Sequence, residues 1–275
     1  MPRLAVLGHP VSHSRSPAMQ NAALAALGLG GWSYEAIEVL PEHFAALVGS
    51  LPDDGFKGVN VTVPHKLAAL AVAAEASPAA RMIGAANTLT FTDGDVIADN
   101  TDAVGIINAI GERLSDRRAL VLGAGGSARA AVWALRQAGA EVSIWNRTEV
   151  KGEALAAELG ALKARRDPGS GAFDVLVNAT TVGLRQASER PPNREDLKAL
   201  PVDADSVGER QVVVDLVYGS HETALASHAR ERGARVIDGL EVLVHQGAAS
   251  LRLWTGLDPP VETMRRAARG EDQDG

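Results

Sequence analysis

Four groups of polar residues stand in this chain where chemistry would need them, each close to the end of an apolar run. The most explicit lies in residues 119–148, ALVLGAGGSARAAVWALRQAGAEVSIWNRT, which reads as strand, glycine turn, alanine-rich helix, second strand and arginine. Gly123 permits the tight turn, Gly125 lets a backbone approach a pyrophosphate, and Ala128 keeps the helix close to the strand. The helix N-terminus then offers free N–H groups and a favourable dipole to the phosphates. A cofactor without a 2′-phosphate would be met by an acid at the end of the second strand, about 20 residues on. Here that strand ends in Asn146 and Arg147 with Lys151 beyond, cations that favour NADP over NAD.

The second group is Gly8-His9-Pro10-Val11-Ser12-His13-Ser14-Arg15-Ser16-Pro17, between a first strand and a helix opened by Pro17. Ser16 is expected as the N-cap, and Ser14 and Ser16 together form an anion pocket suited to a carboxylate. Third, Gly58–Lys66 brings Asn60, Thr62 and Lys66 to one rim of a sheet, at a strand's carboxyl end, where ligands of open α/β sheets bind. Fourth, Asn87 and Asp102 flank a hairpin, although Thr101 or Asp102 could serve simply as a helix cap. Gln246 sits on a later helix among Leu243, Val244 and Leu251.

The elements that must carry these groups follow from periodicity. Strands are expected at Leu4–Gly8, Trp32–Val39 and Gly58–Val61, alternating with helices at Ser16–Leu27, Pro41–Leu51 and Pro64–Ala74. Asn87–Phe91 and Val96–Ala98 pair antiparallel around Asp93-Gly94, and Asp102–Leu114 is a connecting helix. After Arg147 come a helix at Val150–Leu159, strands at Asp174–Asn178, Gln211–Val217 and Arg235–Ile237, and a helix at Glu222–Glu231. Polar Arg185–Arg210, with Pro191-Pro192 and Pro201, reads as a surface excursion with little regular structure. A helix at Leu240–Leu253 returns the chain to the first domain, and Gly270–Gly275 reads as a frayed tail. The fold class is α/β: an N-terminal α/β substrate domain with a mixed sheet, plus a Rossmann-type dinucleotide domain, with a cleft between them. The domains run 1–102 with 239–275 returning, and 103–238.

Composition narrows the partners. At 275 residues and 46% hydrophobic content two cores are expected. A net charge of −7 disfavours nucleic acid, and the short basic stretch Lys163–Arg166 reads as a solvated helix end. There is no cysteine, so neither disulfides nor thiol chemistry arise, and no metal is expected. Without a charged leader or a long uncharged apolar run, the chain reads as soluble and cytoplasmic, with no membrane partner. A homodimer is compatible with this reading.

The motifs as a set resemble one family: Gly8-x-Pro10 through His13-Ser14-x-Ser16-Pro17, Asn60-Val61-Thr62-x-Pro64-x-Lys66, Gly84-Ala85-x-Asn87-Thr88, Asn100-Thr101-Asp102-x-x-Gly105, Gly123-x-Gly125-Gly126, Asn146-Arg147-Thr148, Asn178-Ala179-Thr180 and Asp215-x-x-Tyr218, ending near Gln246. The chain is similar to shikimate dehydrogenases over nearly its whole length. The resemblance implies NADPH-dependent reduction of 3-dehydroshikimate to shikimate, on the way to chorismate. It implies carboxylate binding by Ser14 and Ser16, hydroxyl contacts from Asn60, Thr62, Asn87, Tyr218 and Gln246, and a Lys66–Asp102 catalytic pair. It also implies NADP(H) contacts from Gly123, Ala124, Gly125, Gly126, Ser127, Asn146, Arg147, Thr148, Lys151, Thr180, Leu216 and Gly239. The chemistry is consistent with this: hydride arriving at a ketone carbon puts charge on its oxygen, and a lysine ammonium beside a carboxylate can neutralise and protonate it.

Departures from the family pattern are Gln20, Ala98, Thr181, Leu184 and Val242, none of which bears the assigned chemistry. The alternatives are a quinate/shikimate dehydrogenase with broader substrate or cofactor use, a methylene-tetrahydrofolate dehydrogenase, and a nucleotide-binding protein without turnover. Arg147 argues against NAD use. The serine pair together with Asn100-Thr101-Asp102 argues against the folate enzyme, and an intact Lys66 and Asp102 against the non-enzyme.

Overall fold

The computed structural model describes residues 1–164 and 172–271, which divide into two compact units, 1–105 with 243–275 and 106–242. Residues 272–275 of the expected tail and Arg165 and Arg166 of the basic stretch lie outside the described residues.

The first unit is built on a six-stranded mixed sheet in the order β2-β1-β3-β5-β6-β4. Its strands are β1 (Arg3–Gly8), β2 (Ser33–Glu38), β3 (Phe56–Val61), β4 (Glu75–Ala76), β5 (Thr88–Thr92) and β6 (Asp95–Asp99). β1, β2 and β3 run parallel, whereas β5 pairs antiparallel with both β3 and β6. The β5–β6 turn has Asp93 and Gly94 both at positive φ (53° and 89°), the backbone that an Asp-Gly hairpin demands.

Alternation along β1 sets the layers. Leu4 and Val6 point to α1 (Ser16–Ala26), to the 243–255 part of α10 (Gly239–Thr255) and to α11 (Val261–Arg269), packing with Met19, Leu24, Leu251 and Met264. Ala5 and Leu7 point to the opposite face, against Phe44 and Val48 of α2 (Phe44–Ser50) and Ala69 of α3 (Lys66–Ala71).

The second unit holds a wholly parallel sheet, order β12-β11-β10-β7-β8-β9, made of β7 (Arg118–Leu122), β8 (Glu141–Trp145), β9 (Leu162–Lys163), β10 (Val175–Asn178), β11 (Val212–Asp215) and β12 (Arg235–Ile237). β10 and β11 are buried throughout, as a parallel sheet covered on both faces requires. Ala119 and Val121 of β7 pack with α6 (Gly126–Gln137), with α7 (Glu149–Leu159) and with Ile106 and Ile110 of α5 (Asp102–Ile110). Leu120 and Leu122 face Leu225 and Ala229 of α9 (Ala224–Glu231). The chain reverses direction across the sheet between β7 and β10, the switch point at which open α/β sheets bind ligands.

Three expectations need correction. Ser16 is the first residue of α1, not its cap: Arg15 before it is already helical, and the hydroxyl that accepts a backbone N–H is that of Ser14, 3.2 Å from Ser16 N. The helix expected at Pro64–Ala74 is confined to Lys66–Ala71. The polar excursion is ordered: α8 (Leu184–Glu189) and a 3-10 segment Arg194–Ala199, with an Asn193–Asp196 capping box, bring Leu197, Leu200 and Val207 into the core. Spaced single leucines and valines among charges anchor it without any periodic signal. Two further helices, α4 (Pro78–Ile83) capped by Ser77 and α11, were not evident from pattern, and β4 and β9 are too short to show one. Among the described residues no helix is long and apolar enough to cross a membrane.

Candidate active site

Lys66 opens α3 directly after the carboxyl end of β3, and Asp102 opens α5 after β6. The ammonium Nζ donates to Asp102 Oδ2 at 2.6 Å, with the two side chains only 11% and 12% exposed. The other carboxylate oxygen accepts from Asn87 Nδ2 at 2.9 Å. Capping does not account for Asp102, because Ala103 N donates to Asn100 Oδ1 at 3.3 Å instead. A carboxylate free of that duty and held between an ammonium and an amide is an arrangement for managing charge.

Behind this pair lies a buried web of polar side chains. Asn87 Nδ2 also reaches Gln246 Oε1 at 3.1 Å, and Asn87 Oδ1 accepts from Thr101 N at 2.7 Å. Ser250 Oγ lies 3.0 Å from the hydroxyls of both Thr88 and Thr101, and accepts from Asn60 Nδ2 at 2.8 Å. Tyr34 Oη donates to Asn60 Oδ1 at 2.8 Å. Asn60, expected to touch a substrate hydroxyl, has its amide and its carbonyl both engaged in this web and is 4% exposed. Its place is that of a brace between β3, β5 and α10. Gly105 explains how Gln246 reaches Asn87: a Cβ at Gly105 would stand 2.7 Å from Gln246 Cβ, so only glycine lets α5 and α10 approach this closely.

Thr62 is half-buried just past β3, its N–H donating to Leu7 O at 2.8 Å, so it lies next to the end of β1. Ser14 is half-buried and Ser16 is buried in the loop and helix start that follow β1. His65 beside Lys66 stacks on Phe44 with ring centres 4.6 Å apart, and Nε2 lies 2.9 Å from Val39 O. Burial holds its imidazole below the usual histidine range.

In the second unit Gly123 has φ +115°, and a Cβ there would meet Ala179 O at 2.8 Å. Gly125 caps α6 in extended conformation without a side-chain cap, and nothing lies within 4 Å of where its Cβ would stand. The helix start at Gly125, Gly126 and Ser127, with open space beside exposed Gly125 and with Ala124 completing the turn, is the kind of N-terminus that suits a pyrophosphate. At the end of β8, Asn146 Nδ2 donates to Thr148 O at 2.8 Å, fixing the turn that carries exposed Arg147 and Thr148, with Lys151 in the first turn of α7. Glu149, which opens α7, lies 3.8 Å from Lys163 of β9. A 2′-phosphate fits this cationic end.

Thr180 and Leu216 follow β10 and β11, Gly239 opens α10, and Tyr218 is half-buried in the loop after β11. Asn178 and Asp215, paired in register at the ends of those strands, are joined by a 2.9 Å bond from Asn178 Nδ2 to Asp215 Oδ1. Burial pushes the Asp215 carboxyl up to about 6, against the pull of its hydrogen bonds from Thr223, Val217 N and Asn178.

Thus the first unit joins Lys66, Asp102, Asn87, Gln246 and Asn60 in one network, while Ser14 and Ser16 follow β1 and Thr62 follows β3. Tyr34, Thr88, Thr101 and Ser250 were not singled out by sequence as members of that network. Ser250 falls one helical turn after Gln246, the only spacing signal that could have exposed it.

Comparison with known proteins shows the family of the chain. Residues 6–89 match the family described as "Shikimate dehydrogenase substrate binding domain", residues 106–216 "Shikimate / quinate 5-dehydrogenase", and residues 239–269 "Shikimate 5'-dehydrogenase C-terminal domain". The chain is 47% identical to a shikimate dehydrogenase (NADP(+)) of Thermus thermophilus, covering 98% of both chains. It is 44% identical to the enzyme of that name from Methylobacterium radiotolerans, over 94% of this chain and 93% of that one. The shikimate 5-dehydrogenase of a second Thermus thermophilus strain, solved in complex with NADP(H) and shikimate, superposes with a TM-score of 0.87 at 43% identity, covering 98% of this chain and 100% of that one.

Proposed function

The chain belongs to the shikimate dehydrogenase family, and from that premise we propose how its own residues carry the reaction. It is an NADP-dependent oxidoreductase that reduces 3-dehydroshikimate to shikimate. Bound NADPH supplies the hydride that adds to the ketone carbon.

Lys66 faces the oxygen that gains electron density in that step, stabilises the charge and donates the proton that makes the hydroxyl. Asp102 holds the ammonium in position and accepts from the same hydroxyl region, and Asn87 keeps the second carboxylate oxygen fixed. Ser14 and Ser16 bind the ring carboxylate, Thr62, Gln246 and Tyr218 bind ring hydroxyls, and Asn60 braces the set from behind. Residues 106–242 hold the cofactor through Gly123–Ser127, Asn146–Thr148, Lys151, Thr180, Leu216 and Gly239, while 1–105 with 243–275 bind substrate. The acidic chain works in the cytoplasm on small molecules, without a nucleic-acid or membrane partner.

The observation that carries this reading is the largely buried Lys66–Asp102 pair at 2.6 Å with Asn87 on its far side. Following nicotinamide absorbance with shikimate and NADP tests it, run beside quinate and NAD. Turnover is expected to be fastest with shikimate and NADP, and absence of NADP reduction by shikimate would overturn the reading.

A further inference from the structure

Asp215 is 1% exposed and belongs to no group that meets substrate in the reading above, yet it lies where three chain segments converge. Its Oδ1 accepts from Asn178 Nδ2 at 2.9 Å and from Val217 N at 3.1 Å, and its Oδ2 accepts from Thr223 Oγ1 at 2.6 Å. Asn178 in turn shapes the loop after β10. Its Oδ1 accepts from Thr180 N at 3.2 Å and Thr180 Oγ1 at 2.7 Å, and its Nδ2 donates to Val182 O at 3.3 Å. Thr223 both donates to Asp215 and accepts from Ala226 N at 3.1 Å, capping α9.

A buried carboxylate is costly to keep, and an apolar residue would pack a core here more cheaply. What the carboxylate does is bind, at one point, the loop 178–182, the loop 215–217 and the start of α9. The first of these loops abuts the glycine turn, because the missing Cβ of Gly123 leaves Ala179 O within 2.8 Å of its place.

We infer that Asp215 is a positioning residue for hydride transfer: by fixing the peptides around Thr180 and Leu216 it sets the surface on which the nicotinamide end of the cofactor lies. The inference rests on the proposed assignment of Thr180 and Leu216 to the cofactor. It does not concern the phosphate end, which Arg147 and the glycine turn hold. Misplacement of reacting atoms by a fraction of an ångström to about 1 Å is enough to cost about 10–100-fold in turnover.

The test compares Asp215→Ala, Asp215→Asn, Thr223→Val and Thr223→Ser, each checked for folding by circular dichroism. Hydrogen–deuterium exchange of the cofactor-free proteins reads the loops directly, and steady-state kinetics read the reaction. Asp215→Ala and Thr223→Val are expected to speed exchange at 179–182 and 216–217. They should lower kcat about 10-fold or more while KM for shikimate stays within about two-fold. Thr223→Ser, which keeps the hydroxyl, should keep most of kcat, and Asp215→Asn, which keeps the acceptor for Asn178 and Val217 but not for Thr223, should fall between Asp215→Ala and the parent. If Asp215→Ala does not fold, the Thr223 pair decides. A folded Thr223→Val with normal kcat and normal exchange overturns the inference, as does an equal loss in Thr223→Ser. Arg147→Ala, measured by NADPH fluorescence titration, separates the two levels. Weakened NADPH binding there with normal loops and kcat in Thr223→Val sinks only the role of Asp215, whereas unchanged NADPH binding in Arg147→Ala overturns the phosphate-end assignment, and the loop and kcat readings of Thr223→Val still decide the inference.

Discussion

Asn87 Nδ2 donates to the oxygen of Asp102 that Lys66 does not use, so the carboxylate is gripped on both sides and cannot rotate without breaking one of the two bonds. A lysine on such a mount keeps its ammonium in a fixed orientation, which is what a proton donor to a ketone oxygen requires.

The pair should therefore behave as one unit. Lys66→Ala is expected to lower kcat by about 10²–10⁴ while NADPH still binds, and Asp102→Ala should do comparable harm. The double variant, assayed under the same conditions, should be far less impaired than the product of the two single losses. A Lys66→Ala enzyme with near-normal turnover would defeat the mechanism, and a loss confined to substrate affinity would leave the lysine a binding group.

At the other end of the cofactor, Arg147→Ala should raise KM for NADP much more than KM for NAD, since it removes a phosphate partner that NAD never engages. Equal effects on the two cofactors would count against the assignment.

For the serines, replacing Ser14 or Ser16 by Ala should weaken shikimate binding by about 1–3 kcal/mol through loss of a charge-assisted hydrogen bond. Because Ser14 also accepts from Ser16 N, Ser14→Ala alone should in addition lower thermal stability slightly. Unchanged affinity in both variants, read by calorimetric titration, would put the carboxylate elsewhere.

Tyr34→Phe offers a test of Asn60 as a brace. It strands the buried Asn60 Oδ1, so stability should fall by about 1–3 kcal/mol in a denaturant titration. KM for shikimate should change less than stability does. A large rise in KM without a stability loss would return Asn60 to direct substrate contact.

Asp215 gives a pH signature. Its folded-state value lies at about 6, above the ordinary 3.8, so the folded form holds the proton more tightly than the unfolded chain. Its contribution to stability is accordingly full below about pH 3.8 and is lost as pH rises through about 6. Asp215→Asn, which never ionises, should be more stable than the parent by about 1–2 kcal/mol at pH 7–8 and no more stable near pH 4. The gain is below the full linkage value because the Thr223 hydroxyl loses its carboxylate acceptor. Melting curves across that range, with no change in the difference between the proteins, would refute it.

Much of this molecule is legible because its candidate site residues sit at the ends of strands. The apolar runs ending at Gly8, Val61, Leu122 and Trp145 have strong periods, and the polar residues just beyond them break the pattern visibly. Ser250 and Tyr34 were not legible: one reads as the wet face of a helix, the other as a strand aromatic, and only tertiary packing brings them to Asn60. Ser16 before Pro17 carries a capping signature, but in the fold the Ser14 hydroxyl takes the Ser16 N–H and Ser16 itself opens the helix. Asp215 showed itself as a motif letter, but its burial among Asn178 and Thr223 depends on contacts that sequence spacing does not encode.

The first unit is discontinuous, residues 1–105 being completed by 243–275, and this orders events while the chain is being made. When Gly105 has left the ribosome, Leu4, Val6 and Met19 still lack Leu251 and Met264, and Asn87 lacks Gln246. At typical elongation rates of about 5–20 residues per second the missing segment follows roughly 10–30 s later, long enough for residues 106–242 to fold first. Residues 106–242 are thus expected to mature on the ribosome ahead of the unit that carries the Lys66–Asp102 pair. During that interval a bared apolar sheet face stands open to chaperones, which makes the last helices a late checkpoint on whether a nascent chain becomes an enzyme at all.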